Sequence, residues 1–155
     1  GLTRLPLVDD LTTESLFSEQ VAAVLPAGHR LADRAELELV DLAEEPWLLT
    51  ARSSWPPWHR EYDKAFARAG FVPSVVQRGT SPQNLLALVA AGLGVTRLPL
   101  STRTLRDSGV VFVPLAGDRA EVVLAWRGPD QSPAVEVFAR VVREVTRDLD
   151  PAVGG

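Results

Sequence analysis

Two histidines, His29 and His59, and no cysteine limit the chemistry open to this chain. Without thiols there is no disulfide, no thiolate metal site and no cysteine nucleophile. Two histidines are too few for a histidine-rich metal centre. A serine nucleophile would need a positioned histidine and an acid, and no G-x-S-x-G elbow occurs. Gly92–Val95 (G-L-G-V) closes a helical pattern, whereas a phosphate-cradling glycine loop opens one. No catalytic set, metal or cofactor is therefore expected. What remains is recognition. Ser81 and Pro82 mark the start of a helix, where unpaired N–H groups and the positive dipole end favour an anion. Ser81 would equally cap that helix if no ligand existed.

The elements that position these residues follow from the spacing of apolar residues. Gln20–Leu25 is a short apolar run closed by Pro26, Ala27 and Gly28, and reads as a buried strand. Leu37–Glu45 reads as one or two helical turns, and Trp47–Thr50 as a second strand. A breaker-rich loop, Ser53–Trp58, leads into a helix over His59–Ala69, with Tyr62, Phe66 and Ala69 on one face and Gly70 ending it. Ser74–Arg78 is a third strand. The clearest helix follows Ser81–Pro82, packed through Leu85, Leu88, Val89 and Gly92. Gly94–Leu98 is a fourth strand stopped by Pro99, and Ser101–Ser108 a weak helical turn. Val110–Leu115 and Glu121–Arg127 read as two more strands. A final amphipathic helix follows Ser132–Pro133, with Val135, Phe138, Val142, Val145 and Leu149 on its packed face. Alternating strands and helices of this length imply right-handed crossovers and mainly parallel sheets, whose ligands bind at the carboxyl ends of strands.

With 46% apolar and 23% charged residues the chain can bury a core, and its net charge of −4 speaks against a nucleic-acid face. No run approaches the ~20 apolar residues of a membrane span, and no signal peptide is visible. The absence of cysteine fits a reducing compartment, so a cytoplasmic setting is expected. One repeat is present: Gly1–Leu7 (G-L-T-R-L-P-L) and Gly94–Leu100 (G-V-T-R-L-P-L) agree at six of seven positions. It is either coincidence in an Arg/Leu/Pro-rich chain or a pair of strand exits in two related lobes.

An ordered set of segments resembles the effector-binding domain of LysR-type transcriptional regulators. It comprises E-Q-V-A-A-V-L-P-A-G-H-R-L-A (Glu19–Ala32), L-V-D-L-A-E-E-P-W-L-L (Leu39–Leu49), F-A-R-A-G-F-V-P (Phe66–Pro73), L-A-L-V-A-A-G-L-G-V-T-R-L-P (Leu86–Pro99), L-A-W-R (Leu124–Arg127) and S-P-A-V-E-V-F (Ser132–Phe138). The resemblance implies an α/β, two-lobed, type 2 periplasmic binding protein-like fold with mixed, mainly parallel sheets. It implies a fragment whose winged helix-turn-helix and first lobe-one units lie upstream, so that lobe one is incomplete. Residues 1–19 and 128–150 would belong to lobe one and 20–127 to lobe two. Strands 20–25 and 121–127 would form the hinge, and 151–155 a tail.

The resemblance further implies an allosteric sensor that holds a small, anionic effector between its lobes. It would act on DNA only through the missing N-terminal domain, as a homodimer or homotetramer away from the membrane. A free-standing solute-binding protein is the alternative. The implied effector site gathers Thr3 and Arg4, then Arg52, Ser53, Ser54 and Trp55, then Thr80, Ser81 and Gln83. Arg4, Arg52 and Arg78 could supply charge-assisted bonds. Thr80 otherwise only shapes its loop, and Arg52 and Arg78 are otherwise solvated surface residues. Trp55 and Trp58 either line an apolar pocket or pack the Pro56–Pro57 turn. Arg97 departs from the apolar residue usual there and is either exposed or paired with an acid.

Overall fold

A computed structural model describes residues 2–4, 11–54, 56–127 and 133–147. In chain order the elements are β1 (Leu2–Arg4), β2 (Leu11–Pro26), a 3-10 turn (Leu39–Leu42), β3 (Pro46–Thr50), a 3-10 turn (Arg52–Ser54), α1 (Pro56–Ala69), β4 (Ser74–Gly79), α2 (Pro82–Ala90), β5 (Thr96–Pro99), a 3-10 turn (Leu100–Thr104), β6 (Val110–Arg127) and α3 (Pro133–Thr146). Two compact units result. One contains the residues up to Glu19 and those from Arg119 on; the other is Gln20–Asp118. The chain passes between them at 19/20, within β2, and at 118/119, within β6.

In the Gln20–Asp118 unit, β3 carries Trp47, Leu48 and Leu49, all buried, as a parallel strand covered on both faces must. It pairs in parallel with β4, from Pro46↔Ser74 to Thr50↔Gly79. On its other side the backbone exchanges two bonds with Val95: Val95 N–H to the Pro46 carbonyl and Leu48 N–H to the Val95 carbonyl, each 2.8 Å. This approach leaves no room for a side chain at Gly94, where a Cβ would lie 2.5 Å from the Pro46 oxygen. From α2, Leu85, Leu86 and Val89 join Val24, Leu48, Leu98 and Val110 in one apolar cluster. From α1, Phe66 meets Trp47 edge to face at 5.0 Å, and the Trp47 indole N–H donates to the Leu42 carbonyl at 3.1 Å.

Several boundaries differ from the sequence reading. The helix expected from His59 begins at Pro56, since prolines in a first turn lack only N–H groups that have no intrahelical acceptor. The strand expected at Gln20–Leu25 is the second half of the sixteen-residue β2. The strands expected at Val110–Leu115 and Glu121–Arg127 are one strand, β6. The A-G-D-R segment between them reads as a turn in isolation, but Gly117 absorbs the left-handed conformation at φ 68° and the strand continues. The Gln20 side-chain amide secures this segment by donating to the carbonyls of Leu115 (2.6 Å) and Asp118 (3.0 Å).

The sheets are mixed. Among the described pairings, parallel ones are β3–β4 and the bridges Leu37↔Leu115 and Trp47↔Val95. The four-stranded sheet, in the order β1-β6-β2-β5, pairs β1 with β6 and β5 with β2 antiparallel. The antiparallel share comes from β2 and β6, which are long connecting strands and not members of crossover units. Leu2–Arg4 pairs with Val122–Leu124, and Thr96–Pro99 pairs with Val21–Val24, so each copy of the heptapeptide repeat supplies an edge strand antiparallel to a connecting strand.

In the other unit, α3 buries Ala139 and Val142, with Thr146 donating its hydroxyl to the Val142 carbonyl at 2.7 Å. Phe138 and Val145, expected on the packed face, are exposed; the Val135 side chain and Leu149 lie outside the described residues. Spacings of three and four also fit 139, 142 and 146, but an alanine and a threonine gave that face no apolar signal. Arg143 forks onto the Glu14 carboxylate, which holds that carboxyl below its usual range.

Two substitutions check this packing. Gly94→Ala should cost about 1–3 kcal/mol, because the added methyl meets backbone that cannot yield. Thr96 is fully buried and its hydroxyl has no hydrogen-bond partner among the described residues. The near-isosteric Thr96→Val should therefore raise stability, by on the order of 1 kcal/mol. Urea unfolding midpoints at constant m-value measure both.

Candidate functional site

The carboxyl ends of β3 and β4 are adjacent, since Thr50 pairs with Gly79. The loops that leave them therefore start side by side. The Ala51 N–H donates to the Gly79 carbonyl at 3.3 Å, and Arg78 reaches back to donate to the Thr50 carbonyl at 2.9 Å.

The first loop is a single 3-10 turn closed by Ser54 N–H on the Ala51 carbonyl at 2.9 Å. Arg52 forks onto Asp63 of α1 at 2.9 and 3.0 Å. That contact keeps the Asp63 carboxyl below its usual range and raises Arg52. The second loop starts α2. The Ser81 hydroxyl accepts from Asn84 N–H at 3.1 Å, and Asn84 Oδ1 accepts from Thr80 N–H at 3.1 Å. This reciprocal arrangement satisfies two otherwise unpaired donors. It also requires Gly79, where a Cβ would stand 2.6 Å from Asn84 Oδ1. The amides of Ser81 and Gln83 have no protein acceptor among the described residues.

Against the first loop sits His59 of α1, buried. Its Nε2 donates to the Ala51 carbonyl at 3.0 Å and lies 3.3 Å from Thr50 Oγ1. The bond to a carbonyl places a proton on Nε2. Burial is the main cause of its lowered pKa; the charges of Arg78 and Arg52 add to the lowering, and the Ala51 bond and Asp63 oppose it. Of the nearby charges, Arg52 is neutralised by Asp63. Arg78 has only a neutral carbonyl, with no carboxylate partner among the described residues. The edge thus carries one uncompensated guanidinium beside a helix start, an arrangement suited to a small anion.

The structure brings Arg52, Ser53, Ser54, Thr80, Ser81 and Gln83 to this edge, where all but the half-buried Ser81 are exposed. Thr3 and Arg4 lie in β1 of the other unit, in register with Val123 and Val122. Trp55 and the Trp58 side chain fall outside the described residues. Sequence reasoning missed His59, Asn84 and Asp63. Asn84 stands three residues after Ser81, the spacing of a capping box, and was findable. Asp63 and His59 carry no such signal, because tertiary contacts alone bring them to the loops.

The LysR substrate binding domain model matches residues 1–147. The chain belongs to that family. Among its relatives are the transcriptional regulator AlsR of Bacillus subtilis, 29% identical over 84% of this chain and 44% of its own length. ShiR of Corynebacterium glutamicum is 33% identical over 96% and 48%, and the HcaR activator of Escherichia coli 31% over 93% and 50%. These relatives are transcription regulators, not enzymes. The LysR substrate-binding chain described here spans about half their length. Among solved structures, the BenM effector binding domain with its effector benzoate matches at TM-score 0.78 and 24% identity, covering 94% of this chain and 68% of that one. The LysR regulator HinK of Pseudomonas aeruginosa matches at 0.74 and 25%, covering 94% and 52%. The fold is thus the α/β, type 2 periplasmic binding protein-like fold of LysR effector-binding domains. No helix of the described residues is long and apolar enough to cross a membrane.

His59 predicts a pH dependence of known sign. Its folded pKa lies below the ordinary 6.5, so in the pH range between the two values the unfolded chain binds more protons than the folded one. Its contribution is fully present above about pH 6.5 and is lost as pH falls through the depressed value. His59→Gln should flatten that part of the stability curve and leave the loss near pH 4, due to Asp63 and Glu14. Denaturation midpoints from pH 8 to 3 give the comparison.

Proposed function

We propose that this chain is the ligand-sensing part of a LysR-type transcription regulator and that its ligand is a small organic anion. The observation that carries the reading is the edge where β3 and β4 end. Among the described residues Arg78 there has no acidic partner and two amides at the start of α2 have no acceptor, and Ser53, Ser54, Thr80 and Ser81 carry hydroxyls on the same loops. Carboxyl ends of parallel strands are where α/β sheets take ligands. A related domain holding benzoate, a carboxylate, supports the same ligand class.

In this reading the unit up to Glu19 and from Arg119 on is lobe one and Gln20–Asp118 is lobe two, so residues 119–127, expected in lobe two from the sequence, go to lobe one. Strands 20–25 and 121–127 act as the hinge, and Thr3 and Arg4 are the effector-binding candidates contributed by lobe one. The signal passes to a DNA-binding domain elsewhere in the longer protein, arranged as a homodimer or homotetramer. For that, the anion must bind one arrangement better than another, and ~1–3 kcal/mol of coupling is typical.

A thermal-shift titration against carboxylates, benzoate among them, tests the proposal. Saturable stabilisation of about 2.7 kcal/mol at a hundredfold excess over Kd is expected for a true ligand. Arg4→Ala and Arg78→Ala should each weaken it at least tenfold. Unchanged affinity in both variants would reject the site, and no response to any anion would reject the ligand class.

A further inference from the structure

Arg97 is the residue that neither the family resemblance nor the ligand site accounts for. It is buried in β5, and its guanidinium is held at both ends of a stack. Its Nε donates to Asp118 Oδ2 at 3.0 Å, and Nη2 bonds the same oxygen. Its Cζ lies 4.6 Å from the centroid of the Tyr62 ring, and the Tyr62 hydroxyl reaches the Arg97 carbonyl at 3.4 Å. Tyr62 in turn meets His59 edge to face, with centroids 6.0 Å apart at 77°. His59 holds the Ala51 carbonyl at 3.0 Å. That carbonyl also closes the Arg52–Ser54 turn. At the far end, Asp118 is the last residue before the chain leaves this unit, and its own carbonyl is held by the Gln20 amide at 3.0 Å. Gln20 is the first residue after the chain's other passage.

We propose that Asp118, Arg97, Tyr62 and His59 act together as a positioning device, tying the turn at Arg52–Ser54 to both strands at the points where the chain passes between its units. Each link is a named contact within the Gln20–Asp118 unit; Arg97, Tyr62 and His59 are buried, Asp118, Gln20 and Ala51 half-buried. A guanidinium on a ring face and a ring edge on a ring face are directional contacts. A shift of β6 at Asp118 therefore moves the Arg97 plane, then Tyr62, then the imidazole that fixes Ala51. Coupling of this kind is reciprocal, so a ligand that orders the turn also restrains the strand. The functional meaning rests on the ligand site proposed above. The positional claim does not, and it is read without ligand.

Hydrogen exchange of the Ser54 amide, the donor to the Ala51 carbonyl, is the readout. The Leu48 amide, in the buried strand β3, reports global opening. Tyr62→Leu removes the bridging ring and leaves Arg97–Asp118 intact. It should speed Ser54 exchange about tenfold relative to Leu48. Tyr62→Phe keeps the ring and should stay within twofold of the parent chain. Arg97→Lys keeps the charge for Asp118 and loses the planar stack; it should shift the His59 ring resonances and speed Ser54 exchange by an intermediate factor. If Tyr62→Leu does not fold, Arg97→Lys with Tyr62→Phe still decides the matter. Ser54 exchange that follows Leu48 in every folded variant, with His59 resonances unmoved by Arg97→Lys, would overturn the device. A device that survives while Arg78→Ala leaves anion affinity unchanged would show that the turn is positioned for something other than the proposed ligand.

Discussion

Trp47, Leu48 and Leu49 are buried side by side in a strand whose backbone is hydrogen-bonded on both edges, to β4 and to Val95. A strand covered in this way can meet water only at its ends. The parallel register with β4 then fixes where two loops emerge, and Gly94 permits the close approach that sets the other edge. The turn at Arg52–Ser54, the start of α2 and the aromatic packing of α1 take their places from that pairing. Burial of three large side chains in succession contributes several kcal/mol, enough to hold a polar, exposed edge that would not order itself.

The edge combines spent and unspent polarity. Arg52 is neutralised by Asp63, and Thr80 N–H is taken by Asn84. Among the described residues Arg78 has no carboxylate partner and two amides at the head of α2 have no acceptor, and these are the groups the proposed anion would meet. His59, its pKa lowered chiefly by burial, fixes the first loop through the Ala51 carbonyl. Side chains such as Ser81, Asn84 and His59 keep the loops in shape without ligand.

The buried cation in β5 has a similar logic. A guanidinium removed from water is tolerated only with a carboxylate and further partners, and Arg97 has Asp118 on one side and the Tyr62 ring on the other. An apolar side chain would fill the same volume. The charged one also defines an orientation, because its bonds are directional where dispersion contacts are not.

The alternation of apolar runs and helical spacings made the α/β class readable from the chain alone, and the caps at Ser81 and Gly70 were readable with it. These depend on neighbours within a few residues. The ordered family segments were readable for the same reason, and so were the loop residues Arg52–Ser54 and Thr80–Gln83, which directly follow apolar strands. Three-dimensional packing alone decided that the A-G-D-R segment continues a strand, that α3 buries Ala139 beside the expected Val142 while Phe138 is exposed, and that Arg97 is paired and not solvated. It alone also set Asp63 and His59 against a loop several residues before them. In each case the deciding contact joins residues distant in sequence or competes with an equally periodic alternative, and local spacing carries no information about either.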